Sequence, residues 1–227
     1  MTRTIIVTGG FGILGTAVSA AFCSMGDKVA RVDFAESALD TVAGAIDIGG
    51  IDLSDFAGSQ VAVQKVIDQV GRPDVLVNIA GGFVWETLAQ GGQETWERMF
   101  AMNTLTCVNM TKAALPELCK GPSSRIINIG ANGAQSADMG MGAYAASKAA
   151  VHKLTESLAA ELSGQRITIN AVLPSIIDTP TNRADMPDAD FDSWVRPEAI
   201  ADTIVFLASP AARAINGALI PVTRGGD

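Results

Sequence analysis

The sequence predicts one α/β domain over residues 1–227, a doubly wound parallel sheet of about seven strands with helices on both faces. Three observations carry this. Short, nearly unbroken apolar runs recur along the chain, as strands covered on both faces require. Longer amphipathic stretches separate them at helical spacing. A glycine-rich turn, "TGGFGILG" at 8–15, joins the first apolar run to the first helical stretch.

"RTIIVTG" reads as a buried first strand and "ILGTAVSAAFCSMG" as a helix closing on Gly26. "KVARVD" is the next strand, and "ESALDTVAG" connects it to "AIDIGGIDL", a weaker, peripheral one. "SDFAGSQVAVQKVIDQVG" is helical and stops at Gly71 before Pro73, and "DVLVNIAGG" is strand plus turn. One long helix is predicted over most of "QETWERMFAMNTLTCVNMTKAALPELCK", stopped by "GP". Then follow strand "RIINIG", helix "GAYAASKAAVHKLTESLAAELS", strand "RITINAVLP" and an irregular stretch to Arg196, with a substrate loop at about 175–196. Helix "PEAIADTIVFLAS" and strand "GALIPVT" complete the chain. Right-handed crossovers place ligands at the C-terminal strand ends, where strand order reverses.

With 227 residues, 48% of them hydrophobic, the chain can bury a full core. A net charge of −8 argues against nucleic acid and anionic membranes as partners. No apolar run reaches the length of a membrane span, and "MTRTIIVTGG" enters a strand rather than a signal peptide. Cys23, Cys107 and Cys119 form no CxxC pair and suit a reducing cytoplasm, and one histidine, His152, speaks against a zinc site.

Within the glycine turn stands Gly10-x-Gly12-x-x-Gly15. Glycine is needed there for a tight turn, for backbone approach to a pyrophosphate and for helix–sheet packing, so the turn and the start of the helix (Gly9, Gly10, Gly12, Ile13, Leu14, Gly15) form a Rossmann-type dinucleotide site. Asp33, ending the second strand, is placed to take the adenosine ribose hydroxyls and to repel a 2′-phosphate. Phe34 follows it and the glycine loop holds no Arg or Lys, so NAD(H) is predicted over NADP(H). Arg31, the one possible phosphate ligand, reads as a solvated edge side chain.

Glycine loop, acid, "NIAGG" at 78–82, Asn103, Tyr144-Ala-Ala-Ser-Lys148 and "NAVLP" at 170–174 occur in this order over the whole chain. The set resembles the short-chain dehydrogenase/reductase family. That resemblance implies Tyr144 as proton donor, Lys148 as the residue that holds the nicotinamide ribose and lowers the phenol's pKa, and Asn103 as support for a water chain to the lysine. It further implies cofactor contacts from Asn78, Ala80 and Gly81, from Asp52 and Leu53 beside adenine, and from Pro174, Ile177 and Thr179 at the carboxamide. Departures are Ile79 within "NIAG", Ser175 after Pro174, and Ala131, which stands 13 residues before Tyr144 where the family has a serine.

The dihydropteridine reductase branch of the family also lacks that serine. Residues 128–194, above all "VLPSIIDTPTNRADMPDADFDSW", are similar to it. The resemblance implies hydride transfer from NADH to a quinonoid pterin or like conjugated ring, with Ala131, Arg183 and Trp194 as substrate-side candidates. Two alternatives stand beside it. One is carbonyl, 3-oxoacyl or alcohol chemistry with Asn132 or Ser136 in the serine's role; the other is a non-catalytic dinucleotide-sensing scaffold. His152 reads as a packed helix residue, Arg183 as the partner of Asp185, Asp188, Asp190 or Asp192, and Met186, Phe191 and Trp194 as lid or core. Small residues around Tyr144 (Ala145, Ala146, Ala149, Ala150) suit a homodimer, or a homotetramer built from it.

Overall fold

In the computed structural model, which describes residues 2–225, strand β1 (Thr4–Thr8) is buried along its whole length. Its Ile5, Ile6 and Val7 have no exposed surface because helices cover both sides of the sheet, and that double burial explains the unbroken apolar run. Around β1 lie β2 (Lys28–Val32), β3 (Ala45–Ile48), β4 (Val75–Asn78), β5 (Ser124–Ile129), β6 (Ile167–Pro174) and β7 (Leu219–Val222). All pair in parallel, in the order β3-β2-β1-β4-β5-β6-β7. The chain leaves β1 toward one edge, returns, and builds the other half from β4, so order reverses between β1 and β4. The strand read as weak, β3, is an edge strand.

One face packs on α2 (Phe56–Gln69), α4 (Thr106–Leu118) and α5 (Gly142–Glu161), with Ile6, Leu76, Ile126 and Ile169 at its core. The other packs on α1 (Ile13–Ser24) and α7 (Pro197–Leu207), around Ile5, Val7, Val77 and Ile127. Alternate residues of each strand serve the two cores.

Two predicted stretches differ. The single long helix is broken into α3 (Gln93–Met99), a π-helical segment (Phe100–Leu105) and α4. Asn103, inside the π segment, accepts from the Gly82 amide (2.9 Å) and donates to the Gly82 carbonyl (3.0 Å), a contact that draws this part of the helix onto the turn after β4. The irregular stretch after β6 contains α6 (Pro180–Asp185), whose first turn is capped by the Thr179 hydroxyl accepting from the Asn182 amide.

Candidate active site

The glycine turn closes against the sheet through contacts that leave no room for a side chain. Gly9 has φ +62°, and a Cβ there would meet the Ala80 backbone at 2.9 Å. One on Gly15 would lie 2.1 Å from the Gly9 carbonyl. Gly12 caps α1 with no side-chain bond, so the amides of the first turn are left to a ligand. Thr8 ties this turn to the one after β4, its hydroxyl accepting from the amides of Ile79 and Ala80.

A cleft of about 840 Å3 opens at this switch point. Of the residues expected at the cofactor, Gly9, Gly12, Ile13, Leu14, Gly15, Asp33, Asp52, Leu53, Ala80, Gly81 and Thr179 line it. Asp33 accepts from the amides of Phe11 (3.0 Å) and Ala35 (3.1 Å), which fixes its carboxylate at the lip of the glycine turn. Asn109 donates to the carbonyls of Leu53 and Ser54 and so anchors that wall. The shape and the uncapped helix start fit a dinucleotide.

Other expected residues fall elsewhere. Gly10 lies beneath Arg31, whose Cβ is 2.6 Å from where a Gly10 Cβ would stand. Asn78 is a core strut, not a wall residue, because its amide donates to Thr111 and to Asn128 (both 2.9 Å). Pro174 ends β6, and Ile177 bridges to Val195. Sequence reasoning also missed wall residues, among them Phe11, Phe34, Met102, Thr181 and the cation Arg98. Phe11 and Phe34 carried a signal, since each adjoins a residue already assigned. Arg98 and Met102 carried none, because only the packing of α3 and the π segment brings them to the cleft.

Arg31 requires a correction. It has no exposed surface, pairs with Asp47 through two bonds of 2.7 Å, donates to the Gly10 and Asp40 carbonyls, and lies over the Phe11 ring. Asp47 stands opposite it in the β2–β3 register, so strand pairing itself creates the ion pair.

Tyr144 and Lys148 lie one turn apart on α5. The Tyr144 ring meets Phe83 edge-on, with centroids 4.9 Å apart. Lys148 is buried, and its ammonium donates to the Ile129 carbonyl at 2.9 Å. Burial pushes the Tyr144 phenol up to about 12, opposite to the lowering expected from the lysine. Burial also pulls Lys148 down to about 8. Asn103 braces this corner. Besides Gly82 it donates to the Ser147 hydroxyl at 3.0 Å, and a Cβ on Gly81 would lie 2.4 Å from its Oδ1 and 3.3 Å from Lys148 Nζ. Gly81 is therefore where Asn103 and Lys148 converge.

Ala131 follows β5 and is buried. Asn132 has its side-chain oxygen taken by the Gln135 amide at 3.0 Å, and Ser136 is exposed in the following turn. Arg183 is paired, but with Asp178 (2.6 and 2.8 Å) rather than with the four acids expected, and it lies over the Phe191 ring. Trp194 is 4% exposed and its ring meets that of Phe191 at a tilt of 57°, with centroids 4.8 Å apart, so it belongs to the packing beneath the loop rather than to a free lid.

Among the described residues there is no group of three or more His, Cys, Asp or Glu that could hold a metal, and no helix is long and apolar enough to cross a membrane. A parallel sheet with a glycine turn at its switch point, and a tyrosine–lysine pair on the helix after β5, define a nucleotide-dependent oxidoreductase.

The family model described as short chain dehydrogenase matches residues 3–190, and the chain belongs to the short-chain dehydrogenase/reductase family. Meso-2,3-butanediol dehydrogenase of Serratia marcescens is 31% identical over 98% of this chain and 94% of its own. Acetoacetyl-CoA reductase of Allochromatium vinosum is 30% identical over 99% and 98%. Among solved structures, aldohexose dehydrogenase of Thermoplasma acidophilum superposes with a TM-score of 0.89 at 25% identity, covering 99% of this chain and 93% of that one. The 3-ketoacyl-(acyl-carrier-protein) reductase of Brucella melitensis, complexed with NADH, gives 0.86 at 26%, covering 97% and 96%.

Proposed function

We propose that this protein is an NADH-dependent reductase of an electron-poor conjugated ring, with a quinonoid dihydropterin as the fitting substrate. The observation that carries this reading is the end of β5. The position where a hydroxyl would hold a substrate carbonyl is Ala131, and its neighbours Asn132 and Ser136 are turned to the loop and to solvent. Reduction of a ketone gathers charge on one oxygen and gains from a second donor. A conjugated ring spreads that charge over several heteroatoms, and one acid suffices.

NADH would supply the hydride. The first turn of α1 would hold its pyrophosphate and Asp33 its ribose hydroxyls, while Asp47 keeps the Arg31 guanidinium from any 2′-phosphate. Tyr144 would give the proton. With the phenol raised to about 12 it is protonated throughout the neutral range, the state a donor needs for reduction. Lys148, held by the Ile129 carbonyl, would bind the nicotinamide ribose and return the proton. We further infer a cytoplasmic protein acting on a small molecule, paired as a homodimer, alone or within a tetramer, that covers the exposed Trp96, Phe100 and Leu105.

A second reading, carbonyl or alcohol chemistry, is favoured by the names of the relatives, which include a butanediol dehydrogenase and an acetoacetyl-CoA reductase. NADH oxidation against quinonoid dihydropterin, an acetoacetyl thioester, 2,3-butanedione and a quinone separates the two. Turnover of dihydropterin well above the others is expected; a preference for the thioester or the diketone refutes the first reading.

A further inference from the structure

Three groups at the end of β5 are held in succession. The Ile129 carbonyl accepts from Lys148 Nζ (2.9 Å), the Gly130 amide donates to the Val172 carbonyl (2.9 Å), and the Ala131 amide donates to His152 Nε2 (3.2 Å). Helix α5 thus grips the strand end twice, from side chains one turn apart. Gly130 stands between the two grips because the imidazole fills the space beside it. A Cβ there would lie 2.4 Å from His152 Nε2 and 3.2 Å from a Leu173 methyl. His152 is 4% exposed. Packing alone would ask only for an apolar ring-sized side chain, yet the ring nitrogen is spent on one particular amide. That amide belongs to the residue that distinguishes this site from one built for ketones.

We propose that His152 is a positioning residue: as a neutral imidazole it fixes the Ala131 amide and thereby sets the substrate wall at the end of β5. The inference rests on the assignment of Ala131 to that wall. Accepting at Nε2 leaves the ring proton on Nδ1. Burial, and then the Lys148 charge, lower the His152 pKa from 6.5, which keeps the accepting form in place at neutral pH. The charges acting on the ring, Lys148, Glu156 and Lys153, are all on α5, while the segment just after β5 presents Gly130 and Ala131 and β6 presents Leu173. Protonation would set a second donor against the Ala131 N–H and a second cation near Lys148. The grip is therefore lost as pH falls through the lowered value.

The test compares wild type, His152→Leu and His152→Gln in the full chain, using NADH and whichever acceptor of the panel the wild type reduces best. Leucine removes the acceptor, whereas a glutamine oxygen reaches the place of Nε2. His152→Leu should lower kcat/KM about tenfold with NADH affinity within about twofold, as expected for a buried N–H left without a partner. His152→Gln should recover to within about threefold and lose the acid limb of the wild-type pH profile. A leucine variant as active as wild type, or a glutamine variant no better than leucine, overturns the proposal. A readout without substrate stands beside it: the Ala131 amide resonance should titrate with His152 in wild type and stay flat in His152→Gln. An amide insensitive to pH in the wild type refutes the proposal, whatever the acceptor. Failure of the pterin reading would appear separately, as a different best acceptor in the wild type.

Discussion

Lys148 is a stability cost that the fold carries for its site, and the cost can be measured. It is 5% exposed, its ammonium donates to the Ile129 carbonyl, and burial lowers its pKa from 10.5 to about 8. At about 1.4 kcal/mol per pH unit, this depression corresponds to about 3 kcal/mol against the charged form in the fold. The sign follows from proton counting. Between pH 8 and 10.5 the unfolded chain holds a proton that the folded one has released, so stability rises with pH across that window. Below pH 8 both states are charged, and the whole penalty is present. Lys148→Met removes the charge, keeps most of the volume, and leaves the Ile129 carbonyl one partner short at about 1 kcal/mol. The variant without cofactor should then be about 2 kcal/mol more stable at pH 7, or about 4–8 °C higher in Tm for a chain of this size. The gain should fall as pH rises above 8 and turn into a deficit of up to about 1 kcal/mol by about pH 10.5, where only the stranded Ile129 carbonyl remains, and catalysis should be lost. Thermal unfolding of both proteins at several pH values checks this. A variant less stable than wild type at pH 7, or a gain independent of pH, refutes the reasoning.

Tyr144→Phe should lower kcat about 10²–10⁴-fold and leave NADH affinity unchanged, since the ring still meets Phe83 while the proton is gone. With the wild-type phenol at about 12, the reductive rate should show no loss attributable to the tyrosine up to about pH 10; an inflection near neutrality would contradict the burial effect. Asp33→Ser should shift the NADPH-to-NADH ratio of kcat/KM upward by about tenfold or more, as the carboxylate that repels a 2′-phosphate is removed; an unchanged ratio would assign the preference to another residue. Ala131→Ser should raise turnover of the diketone or thioester about tenfold and lower that of dihydropterin, read by NADH oxidation; equal effects on both acceptors would show that the hydroxyl is not what separates them.

What could be read in advance depended on whether a residue's partner is near in sequence. The strands were legible because burial on both faces leaves an unbroken apolar run, and "TGGFGILG" because strand, turn and helix are contiguous. The break in the helix at Phe100–Leu105 was not legible, since its cause is the bond of Asn103 to Gly82, 21 residues earlier. Arg31 misled for a related reason. On its own strand it looks like an edge cation, and only pairing with β3, the weakest strand in the sequence, brings Asp47 opposite and closes the site over it. Asn78 shows the limit of a motif: the residue matches, but its amide bridges Thr111 and Asn128 below the cleft.

That bridge belongs to a polar seam that explains how the helix carrying the tyrosine is held in register with the sheet. Thr111 of α4 accepts from Asn78 of β4, Asn78 donates on to Asn128 of β5, and Asn128 donates to Thr155 of α5, each at 2.9 Å. One turn earlier in α5, His152 takes the Ala131 amide, and one turn before that Lys148 donates to the Ile129 carbonyl. Apolar packing alone would let α5 slide along β5 at little cost, because neighbouring aliphatic contacts are nearly equivalent. Buried hydrogen bonds are not equivalent, since a shift of one position strands a donor or acceptor at about 1–3 kcal/mol each. Three side chains of α5, bonded to Asn128 and Ile129 at the end of β5 and to Ala131 just past it, therefore fix the helix's register, and Tyr144, one turn before Lys148, takes its place from them.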